Sequence, residues 1–180
     1  VRRSGWLHVI TGPMFSGKTE ELIRILRRYE IAGLKYTVYR PALDTRSTML
    51  ESRNGLAVPA TFTETSFSMW NDLNLFNPDV IAVDEAQFFD NGLVDTLQTW
   101  SLDKPVIVVG LDKDFAGRPF GPMPGLLAVA DEVTKLTAIC SICHEDATMT
   151  QRLLDSNDTI VVGGFADGEY TARCRIHHRV

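Results

Sequence analysis

The chain is 180 residues long, 44% apolar and 23% charged, which fits one ordinary globular domain with at most a small appendage. Its net charge of −5 argues against holding a polyanion such as nucleic acid along a broad surface, because that needs an excess of Lys and Arg, but leaves room for a small anion in one local site. No apolar run approaches the ~18 residues needed to cross a bilayer, and Val1-Arg2-Arg3 leads only into the short stretch Trp6 to Ile10 with no small-residue cleavage site, so a soluble cytoplasmic protein with no membrane partner is expected.

Residues 6–12, Trp-Leu-His-Val-Ile-Thr-Gly, read as a short buried strand. Residues 18–32 read as a helix, because Leu22, Ile23, Leu26 and Tyr29 recur at helical spacing, and Gly33 supplies the stop. Lys35 to Tyr39 is β-rich and closed by Pro41; the polar segment from about 41 to 56, with Arg46, Arg53, Asn54 and Gly55, reads as a long functional or mobile loop. Val80 to Val83 is a second buried strand, a helix is expected over about 91–100, and Val106 to Val109 is a third buried strand. Strand and helix in alternation predict an α/β fold with a parallel sheet covered by helices. Residues 115–125 carry three prolines and three glycines and read as a turn-rich connection, after which Val133 to Ile139 reads as a strand leaving the sheet. Beyond Cys140 the chain is short, polar and glycine-containing, and a boundary near 138 divides it into a nucleotide-binding domain, 1–138, and a small domain, 139–180.

Gly12-Pro13-Met14-Phe15-Ser16-Gly17-Lys18-Thr19 fits G-x-x-x-x-G-K-[ST] in full, between a predicted strand and a predicted helix. Glycines at both ends let the backbone fold so that N–H groups face phosphate oxygens, and the positive end of the helix adds to them. In this P-loop, Lys18 reaches the β- and γ-phosphates and Thr19 offers its hydroxyl to Mg²⁺. A second metal-site residue is expected at the end of a neighbouring buried strand, and Asp84 follows Val80 to Val83 there. Glu85 is then left at the rim of the nucleotide site, placed to take a proton from an attacking hydroxyl or water. The expectation is a phosphoryl-transfer enzyme or NTPase using ATP with Mg²⁺. Asp84-Glu85-Ala86-Gln87 also suits a helicase, but 180 residues at −5 supply neither the second lobe nor the basic track. Asp114 to Gly117 matches the D-x-x-G switch of GTPases but follows the wrong strand, and no N-K-x-D is found, so a small-molecule kinase with an acceptor pocket fits best.

All three cysteines fall late in the chain. Cys140-Ser141-Ile142-Cys143 and Cys174-Arg175-Ile176-His177 are a C-x-x-C and a C-x-x-H separated by 30 residues, the pattern of a closed tetrahedral Zn²⁺ site built from two knuckles. His178 or His144 remains an alternative to His177 as the fourth ligand. Such a metal closes a loop with little core of its own and supplies its folding energy.

Several of these segments, taken in order, resemble the thymidine kinases of the zinc-containing, cellular and poxviral type. They are Gly12 to Lys18, Asp44-Thr45-Arg46, Val83-Asp84-Glu85-Ala86-Gln87-Phe88-Phe89, Lys135-Leu136-Thr137-Ala138 before the first cysteine pair, and Gly163-Gly164 before the second. The resemblance runs from about residue 6 to 178. It implies a P-loop NTPase-like sheet with a small zinc-binding lasso domain closing over the nucleoside. The implied reaction moves the γ-phosphate of ATP to the 5′-hydroxyl of thymidine or deoxyuridine, giving dTMP for nucleotide salvage. It also implies a homotetramer with feedback inhibition by dTTP.

Carried over by matching positions, Glu85 is the base and Arg46 steadies the transferred phosphoryl group. Met14, Phe88, Leu111, Phe115 and Phe120 line the nucleoside pocket, Thr150 contacts the base, and Tyr170 is a lasso tyrosine near the sugar. His177 stands where many members of the family have a fourth Cys, and imidazole is equally a zinc ligand. Residues Phe165 to Glu169 make a longer lasso than the tight one of some relatives. The rival readings are a P-loop phosphotransferase with another nucleoside acceptor and an ATPase whose zinc knuckle grips a nucleic-acid strand.

Overall fold

The computed structural model describes residues 1–42, 49–51, 55, 57–153 and 169–179, with the backbone alone at positions 51, 71, 72, 74 and 75. In chain order the large part of the molecule contains β1 (Trp6–Thr11), α1 (Lys18–Ile31), β2 (Tyr36–Pro41), β3 (Met49–Glu51), β4 (Ala57–Pro59), β5 (Thr61–Thr63), α2 (Ser68–Phe76), β6 (Val80–Val83), a 3₁₀ turn (Ala86–Phe88), α3 (Gly92–Trp100), β7 (Pro105–Gly110), α4 (Met123–Val129) and β8 (Glu132–Lys135). The small part contains β9 (Ala138–Ile139), β10 (Asp146–Ala147), β11 (Met149–Arg152) and β12 (Tyr170–Arg173).

Six strands form one sheet in the order β5-β2-β6-β7-β1-β8, every pair parallel. Alternation along the central strands fills two cores, because successive side chains of a strand point to opposite faces. Val106, Val108, Ile81, Val83, Leu7 and Val9 pack with Met69 of α2, Leu93, Leu97 and Trp100 of α3, and Met123 and Leu126 of α4. Ile107, Val109, Val80, Ala82 and Ile10 pack with Leu22, Ile23, Leu26 and Tyr29 of α1. Both faces are therefore covered, which is why these strands read as unbroken apolar runs. The α/β class and the parallel sheet with flanking helices are as the sequence predicts.

Several local expectations are corrected. The segment read as a long loop carries the antiparallel pair β3–β4, whose Leu50 and Val58 are buried in the α1-side core, and β5 and α2 follow it. The stretch 133–139 is not one strand leaving the sheet. Its first part, β8, pairs with β1 as the sheet's edge, and its second part, β9, pairs antiparallel with β10. The turn-rich connection ends earlier than expected, because α4 starts at Met123.

In the small part, β9–β10 and β11–β12 are two antiparallel ribbons. Among the described residues, their shared interior consists of Ala138, Cys140, Ala147, Ala172 and Cys174, with Cys143 against it. Turns hold the two knuckles: the His144 N–H donates to the Cys140 carbonyl at 2.9 Å, and the His178 N–H to the Cys174 carbonyl at 3.0 Å.

Candidate active site

A parallel sheet brings the carboxyl ends of all its strands to one edge, and that edge collects the charged residues of the site. β1 runs into the loop Gly12 to Gly17, β2 ends on Arg40 and Pro41, β6 is followed by Asp84 and Glu85, and β7 by Leu111 and Asp112. Gly12 (φ 146°) and Gly17 (φ 81°) turn the loop, and Phe15 also lies at positive φ (68°). Gly12 is held to glycine by space as well: a Cβ there would lie 2.4 Å from the Leu136 carbonyl oxygen. Lys18 Nζ donates to the Pro13 carbonyl at 2.7 Å, and Ser16 Oγ to the same oxygen at 2.8 Å. Thr19 follows in the first turn of α1.

The electrostatics of this edge are those of a cation site. Asp84 is buried, and burial first, then the Glu85 charge, push its carboxyl up to about 7, against the pull of Arg40. Arg40 Nε lies 3.7 Å from Asp84 Oδ2 with both side chains buried. Burial lowers the Lys18 ammonium below the ordinary lysine value, and the charges of Glu85, Asp84 and Asp112 oppose that fall. Asp112, also buried, is paired with Lys135 at 2.7 Å and Lys113 at 3.6 Å. Two adjacent carboxylates whose joint ionisation is disfavoured by burial suit a divalent ion, which offsets that cost, so the surroundings of Asp84 fit an expected Mg²⁺ ligand. Sequence reasoning misses Arg40, Asp112 and Gln87 as site residues; nothing local in Tyr39-Arg40-Pro41 or Gly110-Leu111-Asp112 announces a site.

The residues expected to line the acceptor pocket come together in three groups. Phe88 and Phe120 meet edge to face, ring centroids 5.5 Å apart. Leu111 is largely buried, and its N–H donates to Gln87 Oε1 at 2.9 Å. Met14 and Thr150 are joined directly: the Met14 N–H donates to Thr150 Oγ1 at 3.0 Å. That bond turns the Met14 N–H toward β11. The third group centres on Arg152, whose guanidinium lies 3.8 Å over the Phe115 ring and donates to the Tyr170 hydroxyl at 3.1 Å. Arg46, with Asp44 and Thr45, lies outside the described residues, as do Gly163, Gly164 and positions 165–168.

Cys140, Cys143, Cys174 and His177 converge with all four donor atoms within 4.8 Å of one another. Tetrahedral zinc with Zn–S of about 2.3 Å requires sulfur–sulfur edges of about 3.8 Å. The Cys143–Cys174 sulfurs are 3.8 Å apart, and His177 Nδ1 is 3.7 Å from Cys140 Sγ and 3.2 Å from Cys174 Sγ. Burial raises the Cys140 thiol's pKa, but backbone N–H groups of Cys143, Cys174 and Ile142 aimed at the sulfur outweigh it and bring the value down to about 5, favouring the thiolate a metal needs. The donor set therefore fits Zn²⁺. His144 is exposed, and His178 donates from Nε2 to the Phe115 carbonyl at 2.8 Å, tying the second knuckle to the connection after β7.

The thymidine kinase family model matches residues 5–178. The chain belongs to the thymidine kinase family. The thymidine kinase of Mycoplasmoides gallisepticum is 43% identical to it over 186 residues, spanning 98% of this chain and 82% of the relative. That of Mycoplasma genitalium is 43% identical over 180 residues, 98% of this chain and 84% of the relative. That of Coprothermobacter proteolyticus is 47% identical over 192 residues, 100% of this chain and 93% of the relative. Family membership makes the chain an ATP-dependent kinase. No helix among the described residues is long and apolar enough to cross a membrane.

Proposed function

We propose that the chain transfers the γ-phosphate of ATP to the 5′-hydroxyl of thymidine, or of deoxyuridine, giving the nucleoside monophosphate. The observation that supports this reading is the bond between Met14 and Thr150, which joins the phosphate loop to β11. The N–H groups from Ser16 to Thr19 and the start of α1 receive the phosphates, and Lys18 leaves the Pro13 carbonyl to pair with them. Asp84 and Thr19 would hold Mg²⁺, which would supply positive charge to offset that of the phosphates. Glu85 takes the proton of the 5′-hydroxyl as that oxygen attacks phosphorus, and Arg46 pairs with the equatorial oxygens of the moving phosphoryl group. Met14, Phe88, Leu111, Phe115 and Phe120 hold the base and sugar by exclusion of water, with Thr150 and Tyr170 at the lasso side. Zn²⁺ on the Cys₃His cluster would be structural, because four protein donors would fill a tetrahedral site. The same reading carries a cytoplasmic homotetramer, organised as domains 1–138 and 139–180 and inhibited by dTTP.

The test is a nucleoside panel with ATP and Mg²⁺, following monophosphate formation with and without single-stranded DNA. Thymidine and deoxyuridine should be turned over with one ADP per monophosphate and no DNA requirement. Glu85→Gln should lower kcat by about two orders of magnitude or more with ATP affinity nearly unchanged, since the carboxylate acts on the acceptor. More than a tenth of the activity remaining in that variant would defeat the base assignment.

A further inference from the structure

Gln87 lies two residues beyond Glu85, in the 3₁₀ turn, and is buried. Its side-chain Oε1 accepts from the Leu111 N–H at 2.9 Å, and its Nε2 donates to Glu85 Oε2 at 2.6 Å. A backbone N–H can only donate, so the Leu111 bond fixes which end of the amide is oxygen and compels the NH₂ end to face Glu85. The surroundings admit little else. A Cβ at Gly110 would come within 2.9 Å of Gln87 Oε1, and one at Gly121 within 2.2 Å of the Gln87 carbonyl oxygen. Glu85 itself is at φ 52°, ψ 40°, a left-handed conformation unusual for its type.

We propose that Gln87 is a positioning residue that orients Glu85 for proton abstraction by donating to its carboxylate, and links that orientation to Leu111. This rests on the reading of Glu85 as the base. Among the described residues, Lys18 and Asp84 are charged groups near Glu85, in the first turn of α1 and at the end of β6. Gln87 differs from them in donating a side-chain hydrogen bond to the carboxylate while carrying no charge. The Leu111 N–H, Gln87 and Glu85 are thereby joined by two consecutive hydrogen bonds.

The experiment compares Gln87→Met, Gln87→Glu and Glu85→Gln in the full chain, measuring kcat and KM for both substrates, with ATP affinity and Tm as checks on folding. Gln87→Met removes the donor at nearly constant volume; kcat should fall about 10- to 100-fold, as expected for a misplaced catalytic group, with the KM for ATP changed less than about twofold. Gln87→Glu keeps an acceptor for Leu111 but takes the amide donor away from Glu85, so kcat should again fall at least about 10-fold with the KM for ATP changed less than about twofold. A purely structural role would lower Tm and raise the KM for ATP along with the loss of kcat. Near-parental kcat in both Gln87 variants, or a loss that falls equally on the KM for ATP, with Glu85→Gln inactive, would overturn the proposal while the base assignment stands. Activity in Glu85→Gln would instead defeat the base assignment. Failure of both Gln87 variants to fold would assign Gln87 to the fold alone and overturn the proposal as well.

Discussion

Replacing Cys174 by Ser removes one donor from the Cys₃His cluster. Among the described residues, the five clustered in the interior of the small part and Cys143 each bring about one methyl- or thiol-sized group to it. At roughly 0.8 kcal/mol per such group, that interior contributes about 5 kcal/mol. Structural zinc contributes on the order of 10–16 kcal/mol in small metal-folded units, so the metal outweighs the core there and losing a ligand takes away most of what keeps the two ribbons together. If the ordered form falls by about 3 kcal/mol it is populated below about 1%, and apparent thymidine affinity drops more than about 100-fold in proportion. The nucleotide domain has its own two large cores and should persist, with ATP affinity changed by less than about threefold. Zinc content by atomic absorption, thermal unfolding, ATP titration and the KM for thymidine measure each part of this chain of effects. His177→Cys should retain zinc and activity. Parental zinc content or parental thymidine KM in Cys174→Ser would refute the reasoning.

Lys18→Ala should weaken ATP binding about tenfold or more and lower single-turnover transfer by at least about 100-fold, because its charge serves both bound and transferring phosphates; unchanged ATP affinity by calorimetry would mean the loop works otherwise. Gly12→Ala should cost about 2–4 kcal/mol in denaturant unfolding and abolish ATP binding, since the new methyl meets the Leu136 carbonyl at 2.4 Å. Asp84 has a folded pKa raised from 3.8 to about 7, so the folded state binds its proton more tightly than the unfolded state does. Its contribution to stability is therefore present below about pH 4 and is lost as pH rises to about 7, by at most about 1.4 kcal/mol per unit. Without metal, Tm should fall with pH more steeply in the parent than in Asp84→Asn, and Mg²⁺ with ATP should close the gap; parallel profiles would contradict the burial argument.

What the sequence discloses here is what chemistry requires to be contiguous. The phosphate loop, the strand before it and helix α1 are legible because the motif and the helical spacing of Leu22, Ile23 and Leu26 are local. The Cys and His pairs are legible for the same reason, each knuckle needing two ligands three residues apart. Arg40, Asp112 and Gln87 stay silent because each acquires its role only when β2, β6 and β7 lie side by side. The bounds of β8 are obscured because Val133 is exposed on an edge strand, so its apolar character marks neither a face nor a partner. Helix α4 is hidden by Pro124 and Gly125, which read as turn residues although the proline sits in the first turn, where its missing N–H costs nothing. The Met14–Thr150 bond spans 136 positions, and no pattern in either segment indicates it.

The position of β1 within the sheet has a consequence for biosynthesis. The strand is flanked by β7 and β8, so β1, which precedes every other strand of this sheet in the chain, is among the last to gain neighbours. Ninety-four positions separate Thr11 from Pro105 (105 − 11), a delay of about 5–20 s at ordinary elongation speeds. Throughout that interval Leu7, Val9 and Ile10 have no neighbouring strand to pair with, whereas α1 can already pack on β2 and β6. The nascent chain is then exposed to aggregation and to chaperone capture, and codon usage before β7 becomes a lever on yield. The phosphate loop, which follows β1 directly, gains the sheet that supports it only after β7 has been made.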